Sequence, residues 1–201
     1  MRKKIIGYCL KKVKEGKNYS NEELEQIEYG LVSIYLLVTK LIIILTLCFI
    51  LGILKEAVIF MIFYNIIRMP SFGLHASKSW ICLVSSSIIF IGAPIIMMNI
   101  NLNPIIKSLA GIYGIISMFL FSPADTHKRP IINKKRRTIY KLLSIIITFI
   151  FAILSLMIKD SYICNCLIFA ILIQTVIISP ITYKIFNMPY DNYKKYIQNP
   201  V

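Results

Sequence analysis

Acidic residues and histidine are scarce in this chain. Its 201 residues include nine Asp and Glu against 23 Lys and Arg, for a formal charge of +14, and only two histidines. Hydrophobic residues make up 57% of the sequence. A soluble domain of this length has too few polar residues to cover that much apolar surface. The composition therefore excludes an ordinary soluble domain and predicts an integral membrane protein.

The five cysteines lack the spacing of a disulfide framework or a metal clamp. Cys164 and Cys166 lie only two positions apart, so on a helix they point to different faces, which argues against a CxxC redox pair. We expect five thiols, no metal and no cofactor. The full set is Cys9, Cys48, Cys82, Cys164 and Cys166.

The first thirty residues lack the apolar core of a cleavable signal peptide, since charges recur throughout them. Residues 1–17 place apolar side chains at helical spacing with lysines on the other face. That pattern is typical of a helix lying in an anionic lipid interface, and a soluble amphipathic helix packed on the protein itself is the alternative. At residues 20–23 the sequence SNEE fits a capping box between Ser20 and Glu23, so a second helix should begin there.

Six apolar segments follow, each a candidate to cross about 30 Å of hydrocarbon. The second is short and ends at Arg68, so it either tilts across the bilayer or is re-entrant. We predict an all-α, polytopic integral membrane protein of about six transmembrane helices, with N-terminal amphipathic helices over 1–30, a membrane domain over 31–181 and a cytoplasmic C-terminal tail over 182–201. The six segments are 31–54, 56–68, 80–98, 105–121, 141–158 and 163–181.

The basic residues predict the orientation, because cytoplasmic loops retain positive charge. With six crossings and the N-terminus inside, the inner segments and their boundary residues collect 19 of the 23 Lys and Arg. Both termini are then cytoplasmic, in a multi-pass protein of the plasma membrane that contacts anionic headgroups. Since topology explains the charge, we expect no nucleic-acid partner.

One polar stretch, SFGLHASKSWIC at residues 71–82, interrupts the apolar runs on the predicted cytoplasmic side. It holds His75 and, seven positions later, Cys82. A nearby imidazole and a helix N-terminus both favour the thiolate that attacks a carbonyl. On one straight helix the pair would lie about 10.5 Å apart along the axis, so His75 must fold back after Pro70 and Gly73 or come from a second subunit. The alternative is a polar connection between two spans.

These residues resemble the accessory gene regulator B (AgrB) family of membrane peptidases. That family carries an Arg, then Gly-Gly-x-His-Ala, then a Cys seven residues after the His. Here Arg68, Gly73, His75, Ala76 and Cys82 match in identity and spacing.

Two further motifs carry the resemblance, and one position departs from it. FSPADTHKRPI at 121–131 is similar to the family's Ser-Pro-x-Asp with a basic pair and Pro, and EYGL at 28–31 is similar to the junction before the first span. Phe72 stands where the family has its first glycine, which bears on the conformation of that loop.

The resemblance implies a cysteine endopeptidase of quorum sensing that removes the C-terminal tail of a small amphipathic pro-peptide. It implies Cys82 as nucleophile and acyl carrier, His75 as general base and then acid, and Arg68 and Gly73 as residues that shape the site. The peptide's own Cys or Ser then displaces the enzyme and closes a thiolactone or lactone ring. The resemblance also points to a homodimer, as does the thin bundle that one chain provides.

Other residues of the second motif have open roles. Asp125 either orients His75 as a third catalytic residue or is a turn residue. Lys128 and Arg129 belong to a basic stretch that anchors the loop on the inner face, and they are candidates to bind the acidic tail of the pro-peptide. His127 is expected to be an exposed loop residue.

A small transporter or channel subunit is the strongest alternative function. Transporters usually show polar residues in mid-membrane and repeated halves. This chain offers only Asn65, Gln174 and little else there, and no convincing repeat. Tyrosines near the exit of the last span, among them Tyr183 and Tyr190, predict an interfacial aromatic belt.

Overall fold

The computed structural model describes residues 2–16, 19–74, 79–126 and 130–194. Within these residues the regular structure is helical, with one isolated β-bridge. A five-residue π-helical segment, Ile88–Gly92, joins the helix Ser79–Ser87 to the helix Ala93–Asn99. The helices are α1 (Arg2–Gly16), α2 (Asn21–Ile50), α3 (Leu54–Ser71), α4 (Ser79–Ser87), α5 (Ala93–Asn99), α6 (Pro104–Phe121), α7 (Lys134–Met157), α8 (Ser161–Ile178) and α9 (Pro180–Ile185).

The first compact unit, Met1–Leu51, holds α1 and α2. The predicted capping box is confirmed: Ser20 Oγ accepts the backbone N–H of Glu23 at 3.2 Å, and the Glu23 carboxylate accepts the N–H of Ser20 at 2.8 Å. With its first backbone donors satisfied, α2 runs for 30 residues without a break. It ends where Gly52 takes a positive φ of 71°.

The second compact unit, Gly52–Val201, is built around α8. This helix packs against α3, α5, α6, α7 and α9. Ten of its 18 residues are buried, which makes it the core of the unit. The buried residues of α3 face it and α7, and include Phe60, Tyr64 and Ile67.

Glycines let α6 approach its neighbours closely. A Cβ on Gly111 would lie 2.8 Å from the Cβ of Ala152 on α7, and one on Gly114 would overlap Ile171 on α8. Backbones that come this close gain packing contacts that larger residues would prevent, as is usual between helices in membranes. These contacts hold α6 against the core helix.

Five helical stretches are long and apolar enough to cross a membrane, counting the described residues only: Glu22–Ile50, Ser79–Asn99, Pro104–Phe121, Lys134–Met157 and Ser161–Ile178. The prediction of an all-α, polytopic membrane protein is confirmed. α3, which covers the short second segment, is not among the five and carries Lys55, Glu56 and Arg68 in 18 residues. The division at residues 30 and 181 and the orientation of the termini stay predictions.

Candidate active site

The chain turns sharply after α3. This helix ends at Ser71, one residue after Pro70, and the next two residues have positive φ angles, 57° at Phe72 and 115° at Gly73. The predicted break of the helix before His75 is therefore present. Positive φ is easy for glycine and strained for phenylalanine. Phe72 stands at the first glycine position of the motif Gly-Gly-x-His-Ala. Its ring packs edge-on against Tyr140, with 5.1 Å between the ring centroids.

This turn pairs with the loop after α6. Gly73 donates its N–H to the carbonyl of Ala124 at 2.9 Å, and Ala124 donates its N–H to the carbonyl of Ser71 at 3.0 Å. Gly73 is buried, and a Cβ there would lie 2.7 Å from Cγ2 of Ile177. Two motifs about fifty positions apart in the sequence thus form one small parallel bridge.

Arg68 ties the end of α3 to the residue that precedes His75. One guanidinium nitrogen donates to the hydroxyl of Tyr64 at 2.8 Å, and another donates to the carbonyl of Leu74 at 3.2 Å. Tyr64 is 4% exposed, so it fixes the guanidinium from the buried side of the helix. Arg68 therefore acts on the backbone of the turn rather than standing free as a surface charge.

Gln174 of α8 holds the same turn from the other side. Its side-chain amide donates to Oγ of Ser71 at 2.6 Å and to the carbonyl of Phe72 at 2.7 Å. Sequence reasoning placed Gln174 only among the few polar residues in mid-membrane. Its position on an otherwise apolar helix was the available signal, since a buried amide requires partners.

Asp125 is 2% exposed and binds backbone donors. Its Oδ1 accepts the N–H of Asn192 at 3.0 Å, and its Oδ2 accepts the N–H groups of Tyr193 at 2.8 Å and Ile131 at 3.4 Å. The carboxylate thereby joins the loop after α6 to the segment after α9. Its role toward His75 stays a prediction.

Cys82 is the fourth described residue of α4 and is half-buried. It therefore lies in the first described turn of that helix. N–H groups of a first helical turn lack intrahelical acceptors and favour a nearby negative charge. All five cysteines, each in the described part of the chain, are thiols, and Cys164 and Cys166 are buried in the core.

Several predicted residues lie outside the described residues. These are His75 and Ala76 of the first motif and His127, Lys128 and Arg129 of the second. The bridge between Phe72 and Ala124 lies three residues before His75 and four before Lys128. The two turns that lead to these residues are therefore fixed against each other.

One tyrosine after α8, Tyr183, departs from the predicted interfacial belt. Tyr183 is 1% exposed and donates its hydroxyl to the carbonyls of Ala124 at 3.3 Å and Asp125 at 3.1 Å. Burial, and then the Asp125 carboxylate, raise the pKa of Tyr183. Burial and the nearby Asp191 raise the pKa of Tyr190 to about 12. The belt prediction is wrong for Tyr183, because the hydroxyl finds backbone acceptors inside the protein.

Residues of the motifs at 71–82 and 121–131 thus meet at one turn, and comparison with known proteins identifies the family. The sequence model of the accessory gene regulator B family matches residues 3–178. The chain belongs to the AgrB family. This is a family of accessory gene regulators in quorum sensing.

Relatives agree with this assignment. An AgrB-like protein of Listeria monocytogenes is 34% identical over 173 residues, which cover 85% of this chain and 84% of that protein. One from Clostridium acetobutylicum is 26% identical over 174 residues, 87% and 83% of the two chains. The accessory gene regulator protein B of Staphylococcus aureus is 34% identical over 122 residues, 60% and 63% of the two chains. No solved structure matches this AgrB family member.

The family match ends at residue 178, before α9 and the segment that Asp125 binds. In this AgrB chain the residues from 180 to 194 pack on a family motif through Tyr183, Asn192 and Tyr193. Arg137 of α7 also lies over the ring of Tyr193 at 3.4 Å and 3.7 Å from Asp191. The site is thus supported by a segment outside the matched region.

Proposed function

We propose that this AgrB family member is a membrane cysteine endopeptidase that removes the C-terminal tail of a small quorum-sensing pro-peptide and releases a cyclised product. One observation carries the proposal: the hydrogen-bonded bridge between the turn that leads to His75 and the loop that contains Asp125. Family membership and the place of Cys82 at the start of a membrane helix support it.

In the proposed reaction His75 takes the proton of the Cys82 thiol, and the thiolate attacks the carbonyl where the tail begins. The C–N bond breaks, the departing amine takes the proton from His75, and an acyl thioester remains on Cys82. His75, now neutral, takes the proton of a Cys or Ser of the peptide, and the sulfur or oxygen of that residue attacks the thioester and closes a thiolactone or lactone ring. Cys82 leaves as a thiolate and regains its proton from His75.

Ring closure must be faster than hydrolysis of the thioester. The peptide nucleophile is held within the same molecule, which raises its effective concentration far above that of a free thiol. Cys82 is half-buried near the start of an apolar helix, and a position at the hydrocarbon boundary would shield the thioester from water. Both conditions favour cyclisation over release of a linear acid.

We assign the site to the cytoplasmic face of the plasma membrane, with both termini inside. Exposed Lys134, Lys135 and Arg136 begin α7, where a helix N-terminus does not favour cations. Positive charge at this end therefore fits retention in the cytoplasm and attraction of an acidic peptide tail, together with Lys128 and Arg129. The active form is proposed to be a homodimer; full activity of a preparation that remains monomeric on crosslinking in mild detergent would contradict it.

The test uses the protein in liposomes with a short amphipathic, Cys-containing peptide that has an acidic tail, taken from a neighbouring reading frame that encodes one. Mass spectrometry should detect loss of the peptide tail with the wild type and none with Cys82→Ala. Cys164→Ala, which removes a buried thiol of the core, is the matched control and should still cleave. His75→Ala should lose roughly 10²–10⁴-fold in rate.

A peptide whose ring nucleophile is replaced by Ala should stay attached to Cys82 as a thioester that hydroxylamine releases. Cleavage by Cys82→Ala would assign the nucleophile elsewhere. Absence of cleavage by the wild type, with binding of the peptide retained, would contradict the enzymatic function.

A further inference from the structure

Two buried side-chain amides lie on α8, and they have different partners. Asn165 and Gln174 are both 0% exposed and stand about 13.5 Å apart along the helix. The Asn165 amide donates to the carbonyls of Met97 at 3.0 Å and Ile100 at 2.7 Å, which end α5. The Gln174 amide donates to the turn that leads to His75.

The hydrogen bonds of Gln174 stabilise a strained stretch of backbone at Phe72. Phe72 has a positive φ without being glycine, and such strain persists only where surrounding contacts impose it. Gln174 binds the carbonyl of Phe72 and also Oγ of Ser71, whose own proton goes to the carbonyl of Ile67 at 2.6 Å. The amide therefore fixes the turn at two adjacent residues and links it to α3.

Packing alone does not account for this side chain. The Oε1 atom of Gln174 is buried and accepts no hydrogen bond from any described residue, and the same holds for Oδ1 of Asn165. An apolar residue of similar shape would fill either position without an unpaired oxygen. The two donor bonds of each amide are therefore what distinguishes it from methionine or leucine.

We propose that Gln174 is a positioning residue of the peptidase site, which sets the direction in which the turn 71–74 presents His75 to Cys82. This inference rests on the proposed function, because it assigns Gln174 a part in that reaction. Gln174 acts through the backbone of Ser71 and Phe72. Arg68 holds the other end of the same turn at the carbonyl of Leu74.

The test compares Gln174→Met with Asn165→Leu in liposomes. Each substitution removes one fully buried amide from α8 and keeps its approximate volume, so both remove the same kind of group. For tail cleavage, Gln174→Met should lower kcat roughly 10- to 100-fold with KM unchanged, because misplacement of a reacting group by about 1 Å costs that much. Asn165→Leu should change kcat less than about twofold, because the Asn165 amide bonds to the end of α5 and not to the turn that leads to His75.

A second readout needs no peptide. In a chain whose other four cysteines are Ala, iodoacetamide should alkylate Cys82 several-fold more slowly in Gln174→Met and at an unchanged rate in Asn165→Leu. If the Gln174 amide were merely structural, both variants would change the unfolding temperature, and neither would change the rate at which iodoacetamide alkylates Cys82. Equal losses of kcat in the two variants, or none in Gln174→Met, would overturn the proposal.

Should Gln174→Met fail to fold, Ser71→Ala decides by the same criteria, since it removes one of the two acceptors and keeps the bond to Phe72. Wild type and Cys82→Ala are measured alongside. If the wild type does not cleave, or Cys82→Ala does, the proposed function fails. If they behave as expected while Gln174→Met matches Asn165→Leu, only the role of Gln174 fails.

Discussion

Asp125 and Asn192 are joined by two hydrogen bonds across 67 positions of sequence. The backbone N–H of Asn192 donates to Oδ1 of Asp125 at 3.0 Å, and the Asn192 side-chain amide donates to the Asp125 carbonyl at 3.5 Å. Both residues are nearly inaccessible to solvent. The segment after α9 is therefore a support of the loop that pairs with the turn before His75.

The first prediction concerns this carboxylate. Asp125→Asn keeps one acceptor oxygen but turns an NH2 group toward backbone donors. It should destabilise the protein by about 1.5–3 kcal/mol, the usual range for hydrogen bonds to a charged group. Thermal unfolding in detergent measures the loss. The matched control is Asp160→Asn, because the exposed Asp160 caps α8 at the N–H of Ile163 and asparagine caps equally well. Equal losses of stability in the two variants would contradict a role of the Asp125 carboxylate in holding the segment after α9.

Gly73→Ala should abolish most activity. Its φ of 115° is strained for any residue with a Cβ, at a cost of about 1–3 kcal/mol, and the new methyl group would meet Ile177. The bridge to Ala124 would open as the backbone relaxes. Tail cleavage and thermal unfolding report the change. Gly92→Ala, where a Cβ meets nothing within 4 Å, is the control and should leave both unchanged.

Phe72→Gly should be tolerated. Glycine adopts a φ of 57° without strain, so the substitution relieves the turn while removing the contact with Tyr140. We expect cleavage within about threefold of the wild type, since the backbone bonds of the turn remain. Cleavage kinetics test this, and Phe72→Ala, which loses the ring but keeps the strain, should be the less active of the pair. A Phe72→Gly variant without activity would show that the ring itself is required.

Alkaline pH should release the segment after α9. Burial raises the pKa of Tyr190 to about 12, from 10.0. Since the neutral phenol is favoured in the folded state, the stability it contributes is fully present below pH 10 and is lost as the pH rises through about 12. The absorbance of tyrosinate is measured against pH in the wild type and in Tyr190→Phe. The difference between the two curves should show one phenol that ionises near pH 12. A difference spectrum that titrates near pH 10 would contradict a buried hydroxyl.

Cys82 should face the cytoplasm. In a chain whose other four cysteines are Ala, a membrane-impermeant thiol reagent should label Cys82 in inside-out vesicles and not in intact cells. The control is Asn101→Cys in a chain whose five native cysteines are all Ala. In the six-span arrangement the connection between α5 and α6 lies on the opposite side of the membrane, so this cysteine should be labelled in intact cells. The reverse pattern would overturn the orientation inferred from the basic residues.

Local features of the sequence determined the helices and their ends. The apolar runs located α3, α6, α8 and the stretch Ser79–Asn99 within about three residues, whereas α2 and α7 begin well before the predicted segments, at Asn21 and Lys134. The Ser20 and Glu23 pair predicted the start of α2, and Pro70 with Gly73 predicted the break before His75. Each of these depends on neighbours along the chain: the hydropathy of successive residues, a capping side chain three residues away, and a proline that has no backbone N–H to donate. The family resemblance followed from short motifs for the same reason.

Only the tertiary structure decided which distant groups meet. Nothing local in the sequence joins Gly73 to Ala124, Asp125 to Asn192 or Gln174 to Ser71, since these pairs lie 51, 67 and 103 positions apart. Their bonds form because helices packed around α8 bury backbone donors and acceptors away from water, and each buried group must find a partner within reach. Composition could show that Gln174 and Asp125 were polar in an apolar chain, but the partner of each was set by the packing of the helices.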